Sequence, residues 1–290
     1  MTFKTNLEAT RCSTLAGFAV VEVEGRDAAA FLQSQSMNDV AALAPGRWQW
    51  NGLLTPKGRV MALFALACVS EGRFLLVLPD ADPAALAAHL RRFLFRSKLA
   101  IDPSPAWVPA SGPAAATGDP CAIAGDPDRG FALDFGGEGG GRWLWLLPPF
   151  HPALTPSGAG TDAGWRDADL AHGLPRLSGG QGEVFTPQML SLERLGAFSL
   201  KKGCYPGQEI VARTHYLGQA KRGLVRLRGV GLVAGQPVEA SGQAAGSLAC
   251  TNGEGTEALA VLALDALGAL TSGGHGCTRE SLLAGLARSG

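Results

Sequence analysis

The segment Arg59–Leu78, RVMALFALACVSEGRFLLVL, narrows the fold more than any other part of this chain. Val60 to Val69 is the longest uninterrupted apolar run, and Arg73–Leu78 supplies another after a Ser-Glu-Gly turn. Neither run approaches the roughly 20 apolar residues that a membrane-spanning helix requires. Two such runs joined by a short glycine turn predict a hairpin of buried strands.

The flanking sequence mixes strand and helix signals. Phe18–Gly25 sets Val21 and Val23 against Glu22 and Glu24, the alternation of a half-exposed strand. A helix follows, with Asp27 as N-cap and Phe31, Leu32 and Gln35 at helical spacing. Asp82-Pro83 predicts a second helix with Leu86, Leu90, Phe93 and Leu94 on one face. Residues 103–120, rich in Pro, Ala, Ser and Gly, read as a connector. Gly130–Phe135 and Trp143–Leu147 read as strands around an exposed GGEGGG loop. Asp162 is expected to cap a third helix ending near His172 and Gly173. After Gly218, short strands at Arg222–Arg228, Pro237–Ala240, Gly246–Thr251 and Ala258–Leu264 predict a small antiparallel barrel or sandwich. The class is α+β, with many antiparallel strands and no regular βαβ alternation. Neither G-x-G-x-x-G nor G-x-x-x-x-G-K-[ST] follows a strand, which disfavours a classical nucleotide site.

Composition removes other classes. With 46% hydrophobic and 17% charged residues, the 290-residue chain is globular. Its 25 basic residues match its 25 acidic ones, so it lacks the footprint of a dedicated nucleic-acid binder, and no direct nucleic-acid binding is expected. The opening MTFKTNLEATR lacks the apolar stretch of a signal peptide, which points to the cytoplasm. The six cysteines form no C-x-x-C pair and have no zinc-finger histidine spacing, so free thiols in a reducing compartment and no resident metal are expected.

One thiol stands apart. Cys204 lies in Lys201–Ile210, KKGCYPGQEI, between two lysines and a Pro-Gly turn that opens a helix from Gln208 to Tyr216. Nearby cations and a helix N-terminus favour thiolate over thiol. The same spacing also suits a helix-stabilising Glu209–Arg213 pair with Cys204 as a spacer. The sequence alone leaves both readings open.

Lys201–Arg213, KKGCYPGQEIVAR, closely resembles the K-G-C-Y-x-G-Q-E-x-x-A-R signature of the YgfZ family. Those are folate-binding proteins that support iron–sulfur enzymes and are related to the glycine-cleavage T protein, an aminomethyltransferase. Phe31–Val40 (FLQSQSMNDV), Thr55–Arg59 (TPKGR), Thr186–Leu190 (TPQML) and Gly196–Leu200 (GAFSL) are similar to further family segments, in the family's order. The resemblance covers about Gly17 to Arg222 and the rest weakly.

The resemblance implies a T-protein-like architecture. Residues 1–217 would form a folate-binding core of two interlocked α+β subdomains around a central channel, and 218–290 a C-terminal β-barrel. It implies tetrahydrofolate or a derivative as ligand, with aromatic positions falling on Phe18 and Trp165. Cys204 would be the reactive or cluster-contacting thiolate, meeting a transient iron–sulfur cluster. Gln208 and Glu209 would position it or a partner, and Lys202 and Arg213 would supply positive charge. Implied partners are iron–sulfur assembly proteins or client enzymes, with the chain itself a monomer. Effects on tRNA thiolation would be indirect.

Two departures bear on activity. Thr55 stands where relatives often place Asp, and Ala171 where a Glu is expected; Asp169 and His172 are the nearest substitutes. Loss of both carboxylates argues against aminomethyl transfer. A one-carbon transferase and a non-catalytic interaction scaffold remain the rival readings.

Overall fold

A computed structural model gives the fold and describes residues 11–115, 117–177, 181–218 and 220–288. The chain opens on β1 (Cys12–Thr14), β2 (Phe18–Glu24), α1 (Ala28–Gln35), β3 (Arg47–Leu54), β4 (Val60–Ser70), β5 (Arg73–Pro79) and α2 (Pro83–Arg91). Next come β6 (Ala100–Pro103), β7 (Val108–Gly112), β8 (Ala124–Asp126), β9 (Gly130–Asp134), β10 (Trp143–Leu147), β11 (Leu154–Thr155) and α3 (Ala159–Ala171). A 3-10 turn at Leu192–Leu195 and α4 (Gln208–Tyr216) lead to six final strands. These are β12 (Arg222–Arg228), β13 (Pro237–Ala240), β14 (Gln243–Thr251), β15 (Glu257–Ala263), β16 (Leu270–Ser272) and β17 (His275–Glu280).

The apolar hairpin is β4 and β5, paired antiparallel at the centre of a sheet ordered β3-β4-β5-β2-β6. Its two faces have different partners. Phe64, Leu66, Phe74 and Leu76 pack with Phe31, Leu32, Leu86 and Leu90 of α1 and α2. Ala65, Ala67, Leu75 and Val77 face Trp48, Trp50 and the rest of the molecule. A second sheet, β11-β1-β7-β10-β9-β8, lies on that side, and its Phe131, Leu133, Leu144 and Leu146 join the same cluster. The final strands close into a barrel ordered β12-β15-β14-β13-β16-β17. The fold is α+β, with the expected barrel at the C-terminal end.

Several local expectations need correction. The connector over 103–120 contains β7, which pairs with both β1 and β10 inside the second sheet. Its sequence, VPASG, gains its strand conformation from those partners. Helix α2 begins as read, with the Asp82 carboxylate accepting from Ala84 N, but ends at Arg91. Tight turns then carry Phe93 away from the helix face and leave it 44% exposed. Asp27 occupies the N-cap position of α1 without capping it, since its carboxylate accepts instead from Lys98 N. Helix α3 starts before Asp162, whose carboxylate takes Ala16 N and the Ser157 hydroxyl. It ends as read, at Gly173 with φ +69°.

Beyond β17 the chain leaves the barrel. Residues 281–288 run back, without helix or strand, to the aromatic cluster between the two sheets. There Leu286 packs in the cluster that contains Trp48, Trp50 and Phe135, and its carbonyl accepts the Trp50 indole N–H at 2.8 Å.

Candidate functional site

The cysteine loop is built on a close glycine contact. Gly207, the N-cap residue of α4, has φ +78°, and a Cβ there would lie 2.5 Å from Thr55 O and 2.8 Å from Gly58 Cα. Only glycine lets this loop rest on the Thr55–Arg59 turn. Cys204 is exposed, and Gly203 beside it has open space where a side chain would project. Gln208 donates from Nε2 to Lys202 O at 3.2 Å, closing the loop onto the first turn of α4.

Lys202 takes a different part from the expected one. It is only 7% exposed, and its Nζ donates to the carbonyls of Gln33, Ser36 and Asn38 at 2.6, 2.6 and 2.9 Å. These carbonyls lie at and just beyond the C-terminal end of α1, where the helix dipole is negative. An ammonium has three N–H donors, and all are committed there. Lys202 is therefore an anchor for the loop. Its three N–H donors are committed to backbone carbonyls, a role the sequence reading did not assign to it. Burial pushes its pKa down to about 8, with Asp39 pulling the other way. The Tyr205 ring lies 5.0 Å from the same ammonium, and burial pushes its phenol up to about 12.

Glu209 and Arg213 are both exposed, and no ion pair joins them among the described residues. The helix-stabilising pair read from their spacing does not form.

The other motif segments meet at this loop. Asn38 Nδ2 donates to Trp50 O and Gly196 O, and Ser199 N donates to Met37 O. Gln188 Nε2 donates to Val211 O in α4 at 2.8 Å. Between them opens a cavity of about 890 Å³, lined by Asp39, Gln188, Glu193, Lys201, His215 and Tyr216 among others. That volume lies in the range of about 300–1,000 Å³ usual for small-molecule sites. Partial desolvation raises the pKa of Glu193, with Arg194 and His215 opposing. The sequence reading did not single out Glu193, and it set His215 aside as lying beyond the turn from Cys204. The one available signal was the position of Glu193 between TPQML and GAFSL.

Phe18 and Trp165 are brought together, but inside the core. Their ring centroids are 5.7 Å apart and edge-on. Arg176 lies 4.6 Å over Phe18 and Arg142 4.8 Å over Trp165. Phe135 touches both rings and stacks on Trp48 at 5.2 Å. Neither Phe18 nor Trp165 lines the 890 Å³ cavity.

At the two expected carboxylate positions, Thr55 Oγ1 accepts from Arg59 N and Ala171 O accepts from Leu283 N. Asp169 is fully buried, paired with Arg142 at 2.7 Å and near Arg176 at 3.7 Å. His172 is 4% exposed, with ring nitrogens 2.8 and 3.0 Å from the carbonyls of Ala168 and Glu138. Both His172 ring nitrogens are thus engaged, whereas Asp169 accepts from Arg142 through Oδ1 and its buried Oδ2 has no hydrogen-bond partner. Among the described residues no group of three or more His, Cys, Asp or Glu could hold a metal ion.

Two sheets, a terminal barrel and this loop define a T-protein-like class. The crystal structure of glycine cleavage system aminomethyltransferase T from Bartonella henselae matches with a TM-score of 0.70. The match covers 94% of this chain and 85% of that one at 16% identity. Residues 10–116 match the family model described as GCVT N-terminal domain. An uncharacterized protein of Haemophilus influenzae is 34% identical over 73% of this chain and 71% of its own length. The mouse mitochondrial iron-sulfur cluster assembly factor IBA57 is 30% identical over 87% of this chain and 77% of its own length. The tRNA-modifying protein YgfZ of Vibrio vulnificus is 27% identical over 75% and 69%. The chain belongs to the YgfZ and IBA57 family, related to the T protein.

Proposed function

We propose that this chain is a folate-binding accessory protein that supports assembly or repair of iron–sulfur enzymes. Any influence on tRNA thiolation would pass through thiolation enzymes that carry clusters. One observation carries the reading: a single exposed thiol, Cys204, stands on a loop that Lys202 anchors to Gln33, Ser36 and Asn38 and that Gly207 seats on the Thr55–Arg59 turn, three residues from Lys201 in the wall of an 890 Å³ cavity. Such bracing fixes the direction of a thiol without enclosing it, which suits contact with a cluster on another protein. Gln208 shapes the loop, while the exposed Glu209 and Arg213 offer charge to a partner.

The folate part of the reading rests on the resemblance and on the aromatic cluster. A pterin and an aminobenzoyl ring are flat and stack on aromatic faces. As folded, Phe18 and Trp165 have guanidinium groups over their rings, so the fit is to the cluster as a whole, Trp48 included. Division of the chain into a folate-binding 1–217 and a barrel from 218, and action as a monomer in the cytoplasm, belong to the same proposal. The aminomethyltransferase rival lacks carboxylates at Thr55 and Ala171.

Absorption spectra of protein purified without oxygen, before and after addition of an iron–sulfur donor, test the proposal. Wild type should gain thiolate-to-iron charge-transfer bands that Cys204→Ser lacks. Identical spectra for the two proteins would remove Cys204 from any cluster contact.

A further inference from the structure

The C-terminal segment has the contact pattern of a bound peptide. Leu286 and Arg288 are 2% and 1% exposed, while Ser281, Ala284, Gly285 and Ala287 face solvent. Its backbone is received by other parts of the chain: Leu283 N by Ala171 O, Ala284 O by Glu138 N, and Arg288 N by Leu195 O. Arg194 Nη2 donates to Leu283 O. A Cβ on Gly137 would come within 2.8 Å of Ala284 O, so the glycine loop before β10 makes room for this backbone.

The receptor for Arg288 is chemically specific. Its Nε and Nη2 donate to Asp134 O at 3.1 and 2.6 Å, and Nη2 donates to Gly136 O at 2.8 Å. The guanidinium carbon lies 5.4 Å from the centre of the Trp48 ring. The nearest carboxylate oxygen, on Asp134, is 3.9 Å away. The group is thus held as a flat fan of N–H donors aimed at backbone carbonyls beside an indole, with little need for its full charge. Burial also lowers its pKa. A neutral amidine edge, two adjacent N–H donors on a flat ring, presents the same pattern. Beside Arg288 a hollow of about 460 Å³ is lined by Asp119, Asp134, Gly136 and Trp143 among others.

We propose that Leu282–Arg288 is a built-in occupant of a ligand slot formed by Trp48, Trp50 and the carbonyls of Asp134 and Gly136. The slot takes a flat heterocycle with an amidine edge, and ligand and segment exclude each other. Identifying that ligand as the pterin ring of a folate rests on the reading above. The segment also crosses Ala171, so occupying the slot and freeing that position are coupled. If the segment is docked in all but about one molecule in ten, loosening it strengthens apparent affinity roughly tenfold.

Two probes, tetrahydrofolate and 6-methylpterin, are titrated into full-length wild type and Arg288→Ala, with hydrogen exchange followed at residues 282–288. Bound probe should speed exchange of the segment in wild type, and Arg288→Ala should bind roughly tenfold more tightly. Tetrahydrofolate binding without release of the segment overturns the slot and leaves the folate reading standing. Release by 6-methylpterin with no tetrahydrofolate binding keeps the slot and sinks the folate reading. Binding of neither probe overturns both. The wild-type exchange data decide the matter even if Arg288→Ala does not fold.

Discussion

Replacing Lys202 by Met separates an anchor from a charge donor. The side chain keeps its length and loses three hydrogen bonds, to Gln33, Ser36 and Asn38. Hydrogen bonds to a charged group contribute about 1.5–3 kcal/mol each, so the gross loss is about 4.5–9 kcal/mol. Against this stands the cost of burying the ammonium. A fall from 10.5 to about 8 corresponds to roughly 3 kcal/mol. The difference leaves a net destabilisation centred on about 3 kcal/mol, enough to lower Tm by roughly 5–10 °C in a chain of this size. The pH dependence adds a signature. Between about pH 8 and 10.5 the unfolded chain keeps the Lys202 proton and the folded chain releases it. The unfolded state then binds more protons, so stability rises with pH. Wild type should gain about 1–2 kcal/mol over Lys202→Met between about pH 8 and 9.5. Above about pH 10 the raised Tyr205 phenol acts in the opposite direction and must be kept out of the window. Urea melts of both proteins at pH 7, 8 and 9.5 measure this. Equal midpoints at pH 7, or a gap that narrows with pH, would refute the anchor.

Alkylation followed at each cysteine by mass spectrometry should modify Cys204 first and the half-buried Cys277 next. Cys68 and Cys250, pushed up to about 11 by burial, hold roughly 200-fold less thiolate at pH 8 than a thiol near 8.5, so a fast reaction there would contradict the burial. Gly207→Ala should cost about 2 kcal/mol or more in a denaturant melt, because φ is +78° and Thr55 O fills the space. Gly203→Ala, with open space at its Cβ, should cost under about 1 kcal/mol. Methylene-tetrahydrofolate formation from an aminomethyl-lipoyl donor should stay at background. Turnover like that of a T protein would revive the transferase reading.

The parts of the fold legible in sequence were those fixed locally. The apolar runs of β4 and β5, the Asp82-Pro83 start of α2, and the strands around GGEGGG carry their own signals. Strand β7 does not, because Val108–Gly112 owes its conformation to β1 and β10, which lie far away in the chain. The barrel itself was expected, but two of its strands went unread: β16 has only three residues, and the Gly273-Gly274 turn parts it from β17. At the site, the motif marked the loop but not the work of its residues. Lys202 read as a cation for Cys204 because the two are neighbours in sequence, whereas its partners lie more than 160 residues away. The C-terminal segment offered no periodicity at all, and only the structure places Arg288 beside Trp48.

On the proposed function, the exposed Cys204 thiol serves iron–sulfur enzymes. The most direct measurement is the activity of an iron–sulfur enzyme in a strain lacking this protein, restored with wild type or with Cys204→Ser at matched abundance. Cys204 is exposed on its loop, so the serine variant should melt within about 0.5 kcal/mol of wild type. Wild type should restore activity and Cys204→Ser should not. Full restoration by the folded serine variant would contradict the account and leave the motif as a structural turn.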